Sequence, residues 1–276
     1  MKRKIVADSS ADMLFLEGAD FQSVPLKIRT AEKEYTDNES LDSLAMLEEL
    51  KKYKGKSHSS CPNPDEYLAA FGGADEVFCV TITSGLSGSF NSANTAAEMF
   101  KEGGGRALII DSLSTGPESA LILEKLCELI NLDKSFDQIC EEIFEYKRTT
   151  HLSFALESLT NLSRNGRVSP LVAKICGVLG IRVVGKASEQ GTLEVTSKVR
   201  GERNAVAQLL TDMKNNGYKG GKVRIHHAGN EKAAEQLAEN ILAEFPSAKL
   251  LVDKTRGLCS FYAESGGLLV GYEGKI

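Results

Sequence analysis

Hydroxyl and glycine residues crowd into Thr83-Ser84-Gly85-Leu86-Ser87-Gly88-Ser89, directly behind an apolar run of Val77, Phe78, Cys79, Val80 and Ile82. A helix-like segment opens behind that turn. Strand, hydroxyl-lined turn and helix N-terminus together make an anion site, because first-turn N–H groups lack intrahelical partners and the helix dipole adds partial positive charge. The chemistry suits a phosphate or a carboxylate. Gly85 and Gly88 let backbone approach a ligand closely, while Ser84, Ser87 and Ser89 donate hydrogen bonds without adding charge. An ordinary helix cap uses the same residue types.

Three further serine-rich turns, at residues 8–12, 57–62 and 111–116, strengthen the reading. Three of the four turns follow an apolar run of strand type. In open parallel α/β sheets the ligand crevice lies at the carboxyl ends of the strands, so these turns are expected at one rim.

Other chemistries fit the residues poorly. Gly85-Leu86-Ser87-Gly88-Ser89 approaches a nucleophile elbow, but Ser89 stands where that pattern requires glycine. His58 is the nearest candidate base and has no acidic residue to orient it. Gly180-Ile181-Arg182-Val183-Val184-Gly185-Lys186-Ala187 approaches a phosphate loop, but Ala187 replaces the Ser/Thr that binds Mg²⁺. His226-His227 place their side chains on opposite faces of a strand, which suits packing rather than chelation. The six cysteines (Cys61, Cys79, Cys127, Cys140, Cys176, Cys259) form no C-x-x-C pair and read as reduced thiols. Arg167 and Arg200 each sit beside turn-forming residues, either as solvated cations or facing a crevice or a partner protein.

These residues need elements to hold them. Ile5–Ala7, Val24–Ile28, Val77–Ile82 and Ala107–Asp111 read as strands, with Val24–Ile28 edge-like because of Pro25. Helices are expected over 41–52, 65–71, from the 83–89 turn to about 100, 117–131 and 135–148. That alternation implies parallel strands with helical crossovers. The character changes near 150–156. A hairpin over 181–199, helices over 202–216 and 231–245, and strands over 222–227, 249–252 and 267–270 form an α+β unit. The expected fold is α/β in two domains: residues 1–155 a parallel-sheet, Rossmann-like domain with the serine loops, residues 156–276 an α+β domain. A cleft between two such units suits a small molecule.

The 276-residue chain carries 33 basic and 38 acidic residues, a net charge of −5, which argues against a nucleic-acid partner bound through a broad basic surface. No run reaches transmembrane length and the apolar run behind Met1-Lys2-Arg3-Lys4 is too short for a signal peptide, so a cytoplasmic protein is expected.

Taken together, Asp8-Ser9-Ser10-Ala11-Asp12, Ser59-Ser60-Cys61-Pro62, the 83–89 turn, Asn161 to Ser169 and Lys198-Val199-Arg200-Gly201 resemble, in that order, the DegV family of bacterial fatty-acid-binding proteins, which includes the acyl-binding subunits of fatty acid kinase. The resemblance implies a two-domain carrier, with no catalytic residue, metal or cofactor of its own. It implies a long-chain fatty acid as ligand, its tail in an apolar tunnel closed by the second domain, and the ATP-binding subunit of a fatty acid kinase as partner. The family's Thr-Ser-x-Pro and Leu-Ser-Gly loops hold the carboxylate; they match Ser59, Ser60, Cys61 and Pro62, and Leu86, Ser87 and Gly88. Its Gly-Arg-Ile/Val-Ser and Lys-Val-Arg segments match Gly166 to Ser169 and Lys198 to Arg200, which makes Arg167 and Arg200 candidates for head-group or partner contacts. Tyr262 stands where family members often carry a histidine, so exchange with a kinase is less secure than lipid binding. The alternative reading is a serine-dependent hydrolase or phosphate-metabolite enzyme using the 83–89 loop. A third is an interaction protein whose serine turns are only caps.

Overall fold

The computed structural model of the chain describes residues 1–173 and 180–275. Strands β1 (Arg3–Asp8) and β2 (Phe21–Val24) begin a parallel sheet, and β3 (Lys27–Arg29) and β4 (Glu34–Thr36) form a small hairpin. Helix α1 (Ser43–Lys52) leads to β5 (His58–Ser60), which pairs with β3 to complete a three-stranded sheet. Helix α2 (Pro64–Phe71), β6 (Glu76–Thr81), α3 (Ser89–Glu102) and β7 (Arg106–Asp111) complete the parallel sheet in the order β2-β1-β6-β7. Helices α4 (Gly116–Asn131) and α5 (Phe136–Lys147) cover its second face.

Alternation explains the layering. Successive strand residues face opposite sides, so Ile5, Phe78 and Ile110 pack on α4 and α5, while Val6, Val77 and Cys79 pack on α2 and α3. Capping boxes start two of these helices, Asn63 with Glu66 and Ser135 with Gln138.

The second half is one mixed six-stranded sheet. It is built from β8 (Thr150–Leu156), β9 (Ile181–Ala187), β10 (Leu193–Arg200), β11 (Lys222–His227), β12 (Lys249–Lys254) and β13 (Leu268–Glu273), in the order β10-β9-β8-β13-β11-β12. Helices α6 (Thr160–Arg164) and α7 (Pro170–Ala173) follow β8, α8 (Glu202–Asn215) and α9 (Glu231–Glu244) flank β11, and α10 (Gly257–Ala263) precedes β13. Ala155, Val184 and Val270 face α8 and α9; Leu152, Phe154, Leu156 and Leu269 face the opposite side. The α/β class and the parallel first sheet agree with the sequence reading.

Four details differ from it. Pro25, with fixed φ and no N–H, divides the expected strand Val24–Ile28, so that β2 edges the parallel sheet and β3 belongs to the small one. The 57–62 turn contains β5, which pairs through Ser59 with Ile28. Strand β8 was absent from the sequence reading and straddles residues 155 and 156. Helix α10 was also absent, since no side chain of its own caps it. Its first amides are instead taken by Asp37, which accepts from Gly257 N–H at 2.8 Å and Leu258 N–H at 2.9 Å. The phosphate-loop-like residues 181–187 are strand β9. Cys176 lies outside the described residues. No helix among the described residues is long and apolar enough to cross a membrane.

A candidate carboxylate site over an apolar cavity

Between the parallel sheet's rim and the free face of the second sheet lies a cavity of about 250 Å³. The first half contributes Leu26, Ser59, Ser60, Cys61, Ile82, Leu86, Ser87, Gly88 and Thr115; the second contributes Leu152, Phe154, Leu156, Leu162, Arg167, Leu193, Leu258, Cys259, Tyr262, Ala263 and Leu269. A wider groove of about 1130 Å³ lies elsewhere and holds none of the expected site residues. The chemistry therefore selects the smaller cavity.

Its polar end is built by four segments. Ser59 sits mid-strand on β5, and its hydroxyl lies 2.7 Å from the Tyr262 hydroxyl on α10. Ser87 ends the turn after β6; its hydroxyl donates to Ser89 Oγ at 3.2 Å and accepts from Ser89 N–H at 3.3 Å. Gly88 has no side chain to cap α3 and Ser87 takes only the Ser89 N–H, so the rest of the first turn keeps donors for an anion. A β-carbon on Gly88 would lie 3.2 Å from Cys61 Sγ, so glycine lets the two loops approach. Arg167 completes the ring: Nε donates to Leu86 O at 3.1 Å, Nη1 to Asn165 O at 2.5 Å, and its guanidinium carbon lies 6.0 Å from the Tyr262 ring centroid.

Carboxylates, two of them fully buried, hold these segments. Asp8 accepts from Ile82 N–H at 2.9 Å, Ser10 N–H at 3.2 Å, the Ser10 hydroxyl and the Tyr67 hydroxyl at 3.4 Å. Burial pushes its carboxyl pKa up, against the pull of those bonds. Burial likewise pushes Asp37 up to about 6, opposed by the Leu258 and Gly257 N–H groups and by Arg256, and aided by the charge of Asp12. Asp111 accepts from Ser84 N–H at 3.1 Å and Leu113 N–H at 3.0 Å, stiffening the serine turn. The β9–β10 hairpin is pinned to the same turn by Thr83 Oγ1 donating to Gly191 O at 2.8 Å.

Electrostatically the site is a cation beside neutral donors. Arg167 forms no ion pair with a carboxylate among the described residues, in contrast to Arg182, which meets both Glu157 and Glu202. Burial pushes the Tyr262 phenol up, partly offset by the Ser59 bond and the charge of Arg167, so it keeps its proton. The opposite end is hydrocarbon: Leu152, Phe154 and Leu156 project from alternate positions of β8, with Leu269 beside them on β13.

Six of the seven expected site residues, Ser59, Ser60, Ser87, Gly88, Arg167 and Tyr262, thus meet at one cavity. Arg200 does not: it ends β10, opposite Ile181 and exposed, at the far end of the hairpin from the tip that touches Thr83. His58 neighbours Ser59 on β5, is exposed and does not line the cavity. His226 is bound to Asp12, with Nδ1 2.9 Å from Oδ2, and is buried away from Ser87. No histidine lines the cavity among the described residues. Thr115 lines the cavity from the 111–116 turn expected at this rim, whereas Asp37, Cys259 and the β8 wall carry no such expectation; the apolar alternation of Leu152, Phe154 and Leu156 is the readable signal for the wall.

A family model described as an uncharacterised protein of the DegV family matches residues 2–274. This chain belongs to the DegV family. A DegV domain-containing protein of Streptococcus pneumoniae is 44% identical over 279 residues, covering 99% of each chain. Among solved structures, the Streptococcus pneumoniae Fatty Acid Kinase B3 protein loaded with linoleic acid is 44% identical, with a TM-score of 0.97 and complete coverage of both chains. A DegV family protein of Eubacterium eligens loaded with heptadecanoic acid is 43% identical, also with a TM-score of 0.97, covering 99% of this chain and 100% of that one. DegV relatives are thus seen with fatty acids bound.

Proposed function

We propose that this protein binds a long-chain fatty acid and presents it to a fatty acid kinase or another lipid enzyme, acting as a carrier without a catalytic constellation of its own. Ser59, Ser60, Ser87 and the Gly88 end of α3 hold the carboxylate, with Arg167 supplying positive charge and Tyr262 orienting Ser59. The tail lies along Leu152, Phe154 and Leu156. The first half, up to β8, carries the serine head-group loops, and the second half, from β8 onward, closes over the chain. Arg200, being outside the cavity, is a contact for the kinase's ATP-binding subunit.

The observation that carries this reading is a cavity lined by serine hydroxyls, by Arg167, which pairs with no carboxylate among the described residues, and by a largely apolar wall of Leu152, Phe154, Leu156 and Leu269. A carboxylate buried without partners is costly, and charge-assisted bonds from these donors offset that cost. At about 0.8 kcal/mol per buried CH₂, a sixteen-carbon tail offers on the order of 12 kcal/mol before ordering costs. The head group then selects and orients. The two fatty-acid-loaded relatives support the ligand class.

Thermal unfolding tests it. A saturating long-chain fatty acid should raise the melting temperature, and a fatty alcohol of equal length should raise it much less. Equal shifts would remove the carboxylate site. For delivery, the loaded protein is incubated with a fatty acid kinase ATP-binding subunit and ATP, and acyl phosphate is trapped with hydroxylamine. No trapped product would leave a storage protein, and unchanged product with Arg200→Ala would remove that residue's partner role.

A further inference from the structure

We propose that β12 is the pairing edge of a two-fold homodimer. Among the described strands, β12 ends the six-stranded sheet on one side and β10 on the other. An edge strand presents unpaired N–H and C=O groups, and proteins normally blunt it. The β10 edge is interrupted: its register with β9 breaks between Val195 and Ser197. The β12 edge keeps a continuous six-residue register with β11 and exposes Leu251, at 52%, in its centre.

The sequence Lys249-Leu250-Leu251-Val252-Asp253-Lys254 is complementary to itself when run antiparallel. Centred on Leu251, such pairing sets Leu251 against its copy, Leu250 against Val252, and Lys249 against Asp253 on both sides. The backbone allows this register. Lys249 N–H donates to Gly221 O and Thr255 N–H to His227 O, both inward, so by alternation Leu250 and Val252 direct theirs outward. They form the hydrogen-bonded pairs, and the odd-numbered residues form the close side-chain pairs. Arg224, which pairs with Leu251 in register, lies 3.6 Å from Asp253, which places Leu251 and Asp253 on one face; Leu250 and Val252 pack toward α9 on the other. Phe15, 72% exposed, lines the groove that Val252, Asp253 and Lys254 also border. An isologous contact closes on itself, so a dimer forms rather than a filament. One strand pair is a small interface, which sets its strength in the weak, reversible class.

Sedimentation velocity of the full chain over a concentration series tests this. The wild type should shift reversibly from monomer to dimer mass. Leu251→Lys opposes two like charges and should be monomeric; the side chain is exposed, so the fold survives. Lys249→Asp alone and Asp253→Lys alone each create two like-charge pairs and should also be monomeric, whereas an equimolar mixture of those two variants restores both opposite-charge pairs and should dimerise. A wild type that stays monomeric at the highest attainable concentration overturns the proposal. So does a Leu251→Lys protein that dimerises like the wild type, or a mixture that stays monomeric.

Discussion

The two ends of the cavity are built by opposite rules. At the polar end each functional group comes from a different segment, β5, the turn before α3, the loop after α6, and α10; Ser59, Arg167 and α10 are held by hydrogen bonds to distant residues and Ser87 by bonds to Ser89. At the apolar end one strand supplies three wall residues by simple alternation, and packing holds them. A polar end assembled from many pieces fixes which head group enters; a wall drawn from one strand supplies the affinity through area alone. The difference predicts that substitutions at the wall act mainly on stability and total affinity, and those at the polar end mainly on discrimination.

The largest effect should come from the wall. Phe154→Ala, at a fully buried side chain, should cost about 3–5 kcal/mol of stability in urea unfolding of ligand-free protein. It should lower affinity for an acid and its alcohol in equal proportion. A preferential loss for the acid would blur the two ends.

Asp37 is next. Asp37→Ala orphans two amides at the start of α10 and should cost about 2–4 kcal/mol. Its pH signature is separable. The folded protein binds the Asp37 proton more tightly than the unfolded chain does, since the carboxyl rises from 3.8 to about 6. This group's contribution is therefore fully present below about pH 3.8 and is lost as pH rises through about 6. Asp37→Asn should flatten stability across that window, as read by urea midpoints; an unchanged slope would mean another group sets it.

Smaller still is the head-group effect. Ser87→Ala and Ser59→Ala should each weaken fatty-acid binding by about 1.5–3 kcal/mol, roughly ten- to a hundred-fold, with stability nearly intact. Ser84→Ala should leave binding unchanged, because Ser84 is exposed and outside the lining. Equal losses at Ser84 and Ser87 in titration calorimetry would place the carboxylate elsewhere.

The smallest expected change is Tyr262→Phe, which removes one hydroxyl 2.7 Å from Ser59. About 0.5–1.5 kcal/mol of affinity should be lost. No loss would show that Ser59 orients itself.

The polar end was the more legible half of the site in the sequence, because its chemistry is written in residue types: serine, glycine and arginine at turn spacing point to an anion wherever they fold. Its supports were not legible. Asp37 caps a helix 220 residues away, and no local pattern announces that. Arg200 looked equivalent to Arg167, yet strand direction carries it to the far end of a hairpin. Of the fold, the parallel first sheet was readable from period and turns, while β8 and α10 were not, since β8 lies between stretches read as helix and turn and α10 spans only seven residues. Pro25 was read as an edge marker and acts as a divider between two sheets.

The most direct test of the central claim is mass spectrometry of organic extracts from the natively purified protein, run beside its Ser59→Ala/Ser87→Ala double variant. The account predicts a long-chain fatty acid at close to one per chain in the wild type and a marked reduction in the variant. Extracts without fatty acid, or equal loading of both proteins, would contradict it.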